Sequence, residues 1–178
     1  MLKPGDPAPD FVMPDWKGNG VRLAELRASG PVVLVFLRYT GCPICQLRIA
    51  ELAREHERFV RAGARVAVVV ESPAESVRRL AAGHEFPFVL LPDPDRKLYS
   101  AYGVAKGGFA AMLAPCVIAD VIRAWRAGHK HGKYEGTETQ VPADFVVGRD
   151  GLVRYARYGR HVADSTPIAD LLRAVQSA

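Results

Sequence analysis

The chain has 178 residues but only three cysteines, at positions 42, 45 and 116. Three are too few to staple a disulfide framework. In a reducing compartment, a close pair instead points to catalysis or metal binding. No run of roughly 20 uninterrupted apolar residues occurs, so no membrane-spanning helix is expected. The opening residues 1–10 lack the apolar stretch of a secretory signal, and a cytoplasmic location is the resulting expectation. Charge of one sign is also scarce. The 24 basic and 19 acidic residues give a net charge of +5, which is too mild to call for nucleic acid. No internal repeat, low-complexity tract or linker interrupts the chain. Its length fits one domain, residues 1–178, with a core of its own and an insertion.

What is present is a Cys-Pro-Ile-Cys element at 42–45, directly after the apolar run Pro31–Leu37. Positions i and i+3 share a helix face. Three residues rise only about 4.5 Å along a helix. Two such Cα atoms can therefore reach the ~4.4–6.8 Å separation that a disulfide tolerates. A strand running into a helix also places the first thiol beside unpaired N–H groups and the positive end of the macrodipole, which favour a thiolate. The element reads as a reversible dithiol/disulfide switch.

The surrounding pattern supplies a frame. Phe11-Val12 and Val21-Arg22-Leu23 flank the turn signal Lys17–Gly20, predicting an N-terminal hairpin. Buried strands are expected at Pro31–Leu37, Arg65–Val70 and Phe88–Leu91. A helix is expected from Pro43 to about Ala62. A second opens at Ser72 (N-cap) and Pro73 (first helical position), and a short third runs from Asp93-Pro94-Asp95 to Tyr102. Ala143–Val147 and Leu152–Tyr158 form a closing hairpin. A C-terminal helix starts near Pro167, capped by Asp164 or Ser165. The order predicts an α/β fold with a central mixed sheet flanked by helices, and a helical insertion near 104–140.

This arrangement resembles the thioredoxin fold and, within it, the alkyl hydroperoxide reductase/thiol-specific antioxidant (AhpC/TSA) family of peroxiredoxin-like redoxins. The resemblance is carried by Pro4–Phe11, Gly20–Leu26, Val33–Cys45, Asp93–Gly103 and Val141–Gly151, in order and spacing. It implies thiol-dependent oxidoreductase activity, a thiol electron donor of the thioredoxin or glutathione type, and a disulfide or peroxide substrate. It implies no cofactor. Two departures stand out. On the peroxiredoxin pattern Pro-x-x-x-Thr-x-x-Cys, Cys45 takes the peroxide-attacking position, Cys42 the threonine and Arg38 the proline. Near the start of the closing strand, where peroxiredoxins carry an arginine, Pro142 stands like the cis-proline of thioredoxins.

Two readings of the site follow. In the thioredoxin register, Cys42 is the nucleophile, left more exposed before the helix, and Cys45 resolves the mixed disulfide. In the peroxiredoxin register, Cys45 attacks peroxide and Cys42 resolves the sulfenic acid. The first is preferred. Arg38 is the candidate cation that depresses a thiol pKa, against a solvated strand end. Thr40 is a candidate hydrogen-bond donor to a thiolate or peroxide, against a loop-bonding role. A cis Val141–Pro142 bond would leave the Val141 backbone free to pair with substrate. Asp144, on the proline's face, is a candidate proton carrier, against a surface or turn-capping role.

Rivals from other classes are a non-catalytic redox-sensing module and a zinc site completed by His129 and His131, though zinc knuckles favour loops and hairpins over a strand–helix junction. Cys116, among apolar residues, reads as an inert small hydrophobe, with a second resolving thiol as the alternative. The insertion begins apolar and ends basic. It reads as a helix pair with a solvated basic edge, a homodimer contact, a lid over the dithiol or, with Asp120 and Pro115 against it, a membrane-surface helix.

Overall fold

The computed structural model describes residues 1–82 and 85–178. Strands β1 (Val12–Pro14) and β2 (Gly20–Arg22) pair antiparallel around the predicted turn, and α1 (Leu23–Ala28) follows. The main sheet has five strands: β3 (Val32–Phe36), β4 (Arg65–Val70), β5 (Val89–Pro92), β6 (Ala143–Val147) and β7 (Val153–Tyr158). Their order is β5-β4-β3-β6-β7, with β3 parallel to β4 and antiparallel to β6. The mixed sheet expected from the sequence is the one observed.

β3 lies at the centre and is buried on both faces, which explains its unbroken apolar run. The period-two alternation divides it. Val33, Val35 and Leu37 face a layer containing Ile49, Leu52, Phe59, Val77 and Leu171. Val32, Leu34 and Phe36 face the N-terminal hairpin together with Leu98, Tyr99 and Tyr102. Each fully buried aliphatic or aromatic side chain contributes about 1.5–3 kcal/mol. The result is a stiff platform whose β3 end carries the thiols.

Several helix boundaries differ from expectation. The helix expected over 43–62 is two helices, α2 (Pro43–Arg54) and α3 (His56–Arg61), broken at Glu55. The break turns Phe59 fully into the core and leaves Val60 exposed. Helix α4 (Ala74–Ala81) has Pro73, not Ser72, as its N-cap. The Ser72 hydroxyl is engaged elsewhere, accepting the Thr40 N–H at 2.9 Å. Helix α5 (Lys97–Ala101) is capped from a distance, Asp93 accepting the N–H groups of Lys97 and Leu98 at 2.9 and 2.8 Å.

The insertion holds one 3₁₀ turn (Phe109–Met112) and one α-helix, α6 (Pro115–Arg126), rather than a helix pair. Helix α7 (Ile168–Gln176) follows Pro167, and neither Asp164 nor Ser165 caps it, since Asp164 is held by Arg157 and Arg160. Among the described residues, no helix is long and apolar enough to cross a membrane.

Candidate active site

β3 ends at Phe36, and residues 37–41 turn the chain into α2 with Cys42 as its N-cap and Pro43 at the first helical position. Proline suits that place because its missing N–H is one the helix would not use. Cys42 has extended backbone (φ −82°, ψ 120°), and its Sγ accepts the Cys45 N–H at 3.3 Å. A sulfur thus serves where an oxygen cap normally sits. Arg38, four residues upstream and almost buried, donates from Nη2 to Cys42 Sγ at 2.9 Å. Its Nη1 donates to the Glu138 carbonyl at 2.7 Å and lies 3.5 Å from the Glu138 carboxylate. Its Nε is buried without a partner.

These contacts separate two chemically identical thiols. Burial pushes the Cys42 thiol up. The hydrogen bond from the Cys45 thiol, the charge and hydrogen bond of Arg38 and the Cys45 N–H together more than offset that, and hold it down at about 6. Burial pushes the Cys45 thiol well up, and its hydrogen bond to Cys42 and the charge there push the same way. At neutral pH Cys42 is therefore mostly thiolate and Cys45 mostly thiol. Both cysteines are free of disulfide.

Residues 129–138 form a strap over this turn. The Gly132 N–H donates to the Gly41 carbonyl at 2.8 Å. Tyr39 Oη lies 3.1 Å from His131 Nε2 and also donates to the Glu138 carboxylate. Gln46 reaches the Lys130 carbonyl at 3.4 Å, and Glu71 accepts the Thr137 N–H at 2.5 Å. Gly41 permits the close approach, since a Cβ there would stand 2.3 Å from the Lys133 carbonyl oxygen. A concavity of about 390 Å³ opens beside the dithiol, lined by Arg38, Pro43, Ile44, Val121, Trp125 and Tyr134.

The strap overturns one expectation directly: Cys42 is not the more exposed thiol. It is 0% exposed and Cys45 4%, because the returning insertion covers the strand–helix turn. Thr40 does not bond a thiol. Its hydroxyl lies 3.1 Å from Ser72 Oγ and 3.3 Å from a Glu135 oxygen, which fastens the loop to the strap.

The Val141–Pro142 bond is trans, with no cis peptide among the described residues. Nor is the Val141 carbonyl free for substrate, since Gln140 Nε2 donates to it at 2.6 Å. The approach to β6 is tied instead to the insertion, through the Lys106–Gln140 bridge and the Gly107 N–H to the Thr139 carbonyl at 2.9 Å.

Asp144 is neither exposed nor at the thiols' hydrogen-bonding surface. It is buried, accepts the Thr166 N–H at 2.8 Å and faces Arg48 at 3.9 Å. Cys116 is exposed rather than buried, with its Sγ 3.3 Å from His161 Nε2. It occupies the first turn of α6, whose inward side chain is Val117. His131 is taken up by Tyr39 and packs on Tyr134 at a centroid distance of 4.2 Å.

Sequence reasoning did not single out Glu138, Glu135 or Gly41. The available signal was Glu135-Gly-Thr-Glu138, an acidic patch closing an otherwise basic insertion.

The AhpC/TSA family model matches residues 4–156. A Mycobacterium tuberculosis protein with a provisional peroxiredoxin name is 32% identical over 157 residues, covering 88% of this chain and 85% of its own. The chloroplastic peroxiredoxin Q of Sedum lineare is 29% identical over 61% of this chain and 58% of its own. In fold, the chain is similar to the crystal structure of peroxidoxin BcpB from Mycobacterium tuberculosis, with a TM-score of 0.74 and 21% identity over 99% of this chain and 98% of that one. The sheet, the dithiol turn and the family match agree: the chain belongs to the AhpC/TSA family and is a thiol-dependent oxidoreductase.

Proposed function

We propose that Cys42 is the attacking thiol, that Cys45 resolves, and that the protein reduces disulfides and small peroxides with electrons from a thioredoxin- or glutathione-type thiol. The observation that carries this reading is the Arg38 guanidinium 2.9 Å from Cys42 Sγ, at the N-cap of α2. With a pKa of about 6, Cys42 is nearly all thiolate at pH 7, whereas a free thiol near 8.5 is only a few per cent ionised.

The Cys42 thiolate attacks one sulfur of a substrate R–S–S–R, forming Cys42–S–S–R and releasing R–S⁻. Cys42 then no longer carries charge, so one of the influences holding the Cys45 proton disappears. R–S⁻ takes that proton. The Cys45 thiolate attacks Cys42 Sγ, expels the second thiolate and leaves the Cys42–Cys45 disulfide. Two electrons have moved to substrate, and an external dithiol, or two monothiols in turn, returns them by the reverse exchange. With a peroxide R–O–O–H, the Cys42 thiolate attacks the terminal oxygen, the O–O bond breaks to leave Cys42 sulfenic acid, and the departing R–O⁻ takes a proton from solvent and leaves as alcohol or water. Cys45 then displaces water to give the same disulfide. The unpartnered Arg38 Nε offers a donor to the oxygen or sulfur that departs.

The full burial of Cys42 favours small substrates in the strapped state, and the peroxiredoxin names of relatives support peroxide chemistry. A bulky disulfide requires the strap to lift. The cycle needs a compartment rich in reducing thiols, for which the cytoplasm is our assignment.

Cysteine mapping by mass spectrometry tests the order of attack. Cys45→Ser protein treated with hydroxyethyl disulfide should carry a mixed disulfide at Cys42. A Cys42→Ser protein that forms sulfenic acid at Cys45 with one equivalent of hydrogen peroxide would falsify the assignment.

A further inference from the structure

The side of α6 that faces solvent carries four of the nine exposed large apolar side chains among the described residues. Ile118 is 63% exposed, Trp125 68%, and Val121 and Ile122 over 40%. Tyr134, on the strap, extends the patch at 69%, and Leu113, just before the helix, is 65% exposed. Contiguous exposed apolar surface of this kind marks contact with another molecule. The patch is continuous with the dithiol, since Val121, Trp125 and Tyr134 line the same concavity as Arg38, Pro43 and Ile44.

Its rim is cationic. Arg126, Lys130 and Lys133 are exposed, and none forms an ion pair among the described residues. Arg123 is already matched by Asp120 at 2.9 Å and Glu51 at 3.6 Å. Asp120 is the only acidic residue between 113 and 134, so the patch presents uncompensated positive charge.

We propose that this face docks a redox partner protein whose exposed disulfide or dithiol sits in an apolar patch edged with carboxylates. The proposal rests on the thiol-exchange reading above and adds where the partner binds and what it looks like. Charge selects this occupant over a second copy of the chain, because a two-fold contact would set three cations against three. Continuity with the thiol concavity selects a redox protein over a lipid surface, which has no business with Cys42. Contact with Trp125 and Tyr134 also engages the strap itself, whose displacement uncovers Cys42.

Two disulfide-cyclised peptides of one ring size test this, one flanked by Leu and Glu, the other by Leu and Lys. Hydroxyethyl disulfide serves as a control too small to use the patch. At low salt, kcat/KM should favour the Leu/Glu peptide by about fivefold or more, and the preference should shrink as salt rises. Arg126→Gln/Lys130→Gln/Lys133→Gln should erase the preference. Ile118→Ser/Ile122→Ser should lower turnover of both peptides. Hydroxyethyl disulfide turnover should stay within twofold in every variant.

Equal rates for the two peptides overturn the docking proposal. So does a monomer–dimer equilibrium, or binding to phosphatidylserine vesicles, that the isoleucine variant abolishes while peptide rates hold. Loss of the thiol-exchange reading looks different: wild type would then fail on hydroxyethyl disulfide itself.

Discussion

The cap of α2 and its first turn lie three residues apart and hold the same functional group, yet they treat it in opposite ways. Cys42 receives two N–H donors, one of them cationic, and sits at the positive end of a helix. Cys45, one turn in, receives burial and the neighbouring charge, and donates where Cys42 accepts. Position along one helical turn thus separates a thiol whose pKa is held down from one whose pKa is pushed up. Neither burial nor residue type does the sorting, since both sulfurs are buried. The direction of the hydrogen bonds does, since the Arg38 charge favours the thiolate at both sulfurs while the Cys45 thiol and N–H both donate to Cys42.

The largest test removes one thiol at a time. Cys42→Ser should lower disulfide turnover by about a thousandfold or more, as loss of a nucleophile does. Cys45→Ser should retain a stoichiometric first step and then stall as a mixed disulfide, visible as a single-turnover burst. A full burst from Cys42→Ser instead would reverse the comparison.

Arg38→Met should move the midpoint of iodoacetamide alkylation of Cys42 upward from about pH 6. At pH 6 the reaction should slow by about tenfold, because a smaller thiolate fraction is only partly offset by higher nucleophilicity. An unmoved midpoint would assign the depressed pKa to the Cys45 thiol and N–H rather than to Arg38.

The same shift enters stability. The folded pKa of Cys42 lies below the unfolded value of about 8.5. Its ionisation therefore stabilises the reduced protein fully above that value, and the contribution is lost as pH falls through about 6. Between pH 8.5 and 5.5, the Tm of the reduced wild type should fall further than that of Cys42→Ser. Parallel curves would show the thiolate is not held by the fold.

Gly41→Ala bears on access rather than ionisation. A Cβ 2.3 Å from the Lys133 carbonyl must push the strap away. Alkylation of Cys42 at pH 8 should rise several-fold, at a stability cost of about 1–3 kcal/mol. Slower alkylation would mean the strap does not gate the thiol. The smallest expected effect is at the third cysteine. Cys116→Ser should leave disulfide turnover within about twofold, because its sulfur faces His161 and solvent.

Much of the frame was readable from residue order. The apolar run at 31–37, the second at 65–70 and the alternation through 143–147 fix a mixed sheet, because strand periodicity is local and burial on both faces leaves an unbroken apolar signature. The dithiol was readable for the same reason: four consecutive residues at a strand–helix junction place both sulfurs on one turn. Arg38 was legible as a nearby cation, since four residues of sequence bring it back to the turn.

What lay beyond the sequence depends on segments far apart along the chain, from 32 residues for Thr40 and Ser72 to 100 for Arg38 and Glu138. The engagement of Thr40 by Ser72 and Glu135 and the burial of Cys42 beneath the strap come from packing between distant elements, which no local pattern encodes. The sequence by itself determined that two thiols would share one helical turn at the end of a buried strand. Only the tertiary structure decided which of them has its pKa held down and how fully each is covered, because hydrogen-bond direction and solvent access are set by Arg38, Glu138 and the strap meeting in space.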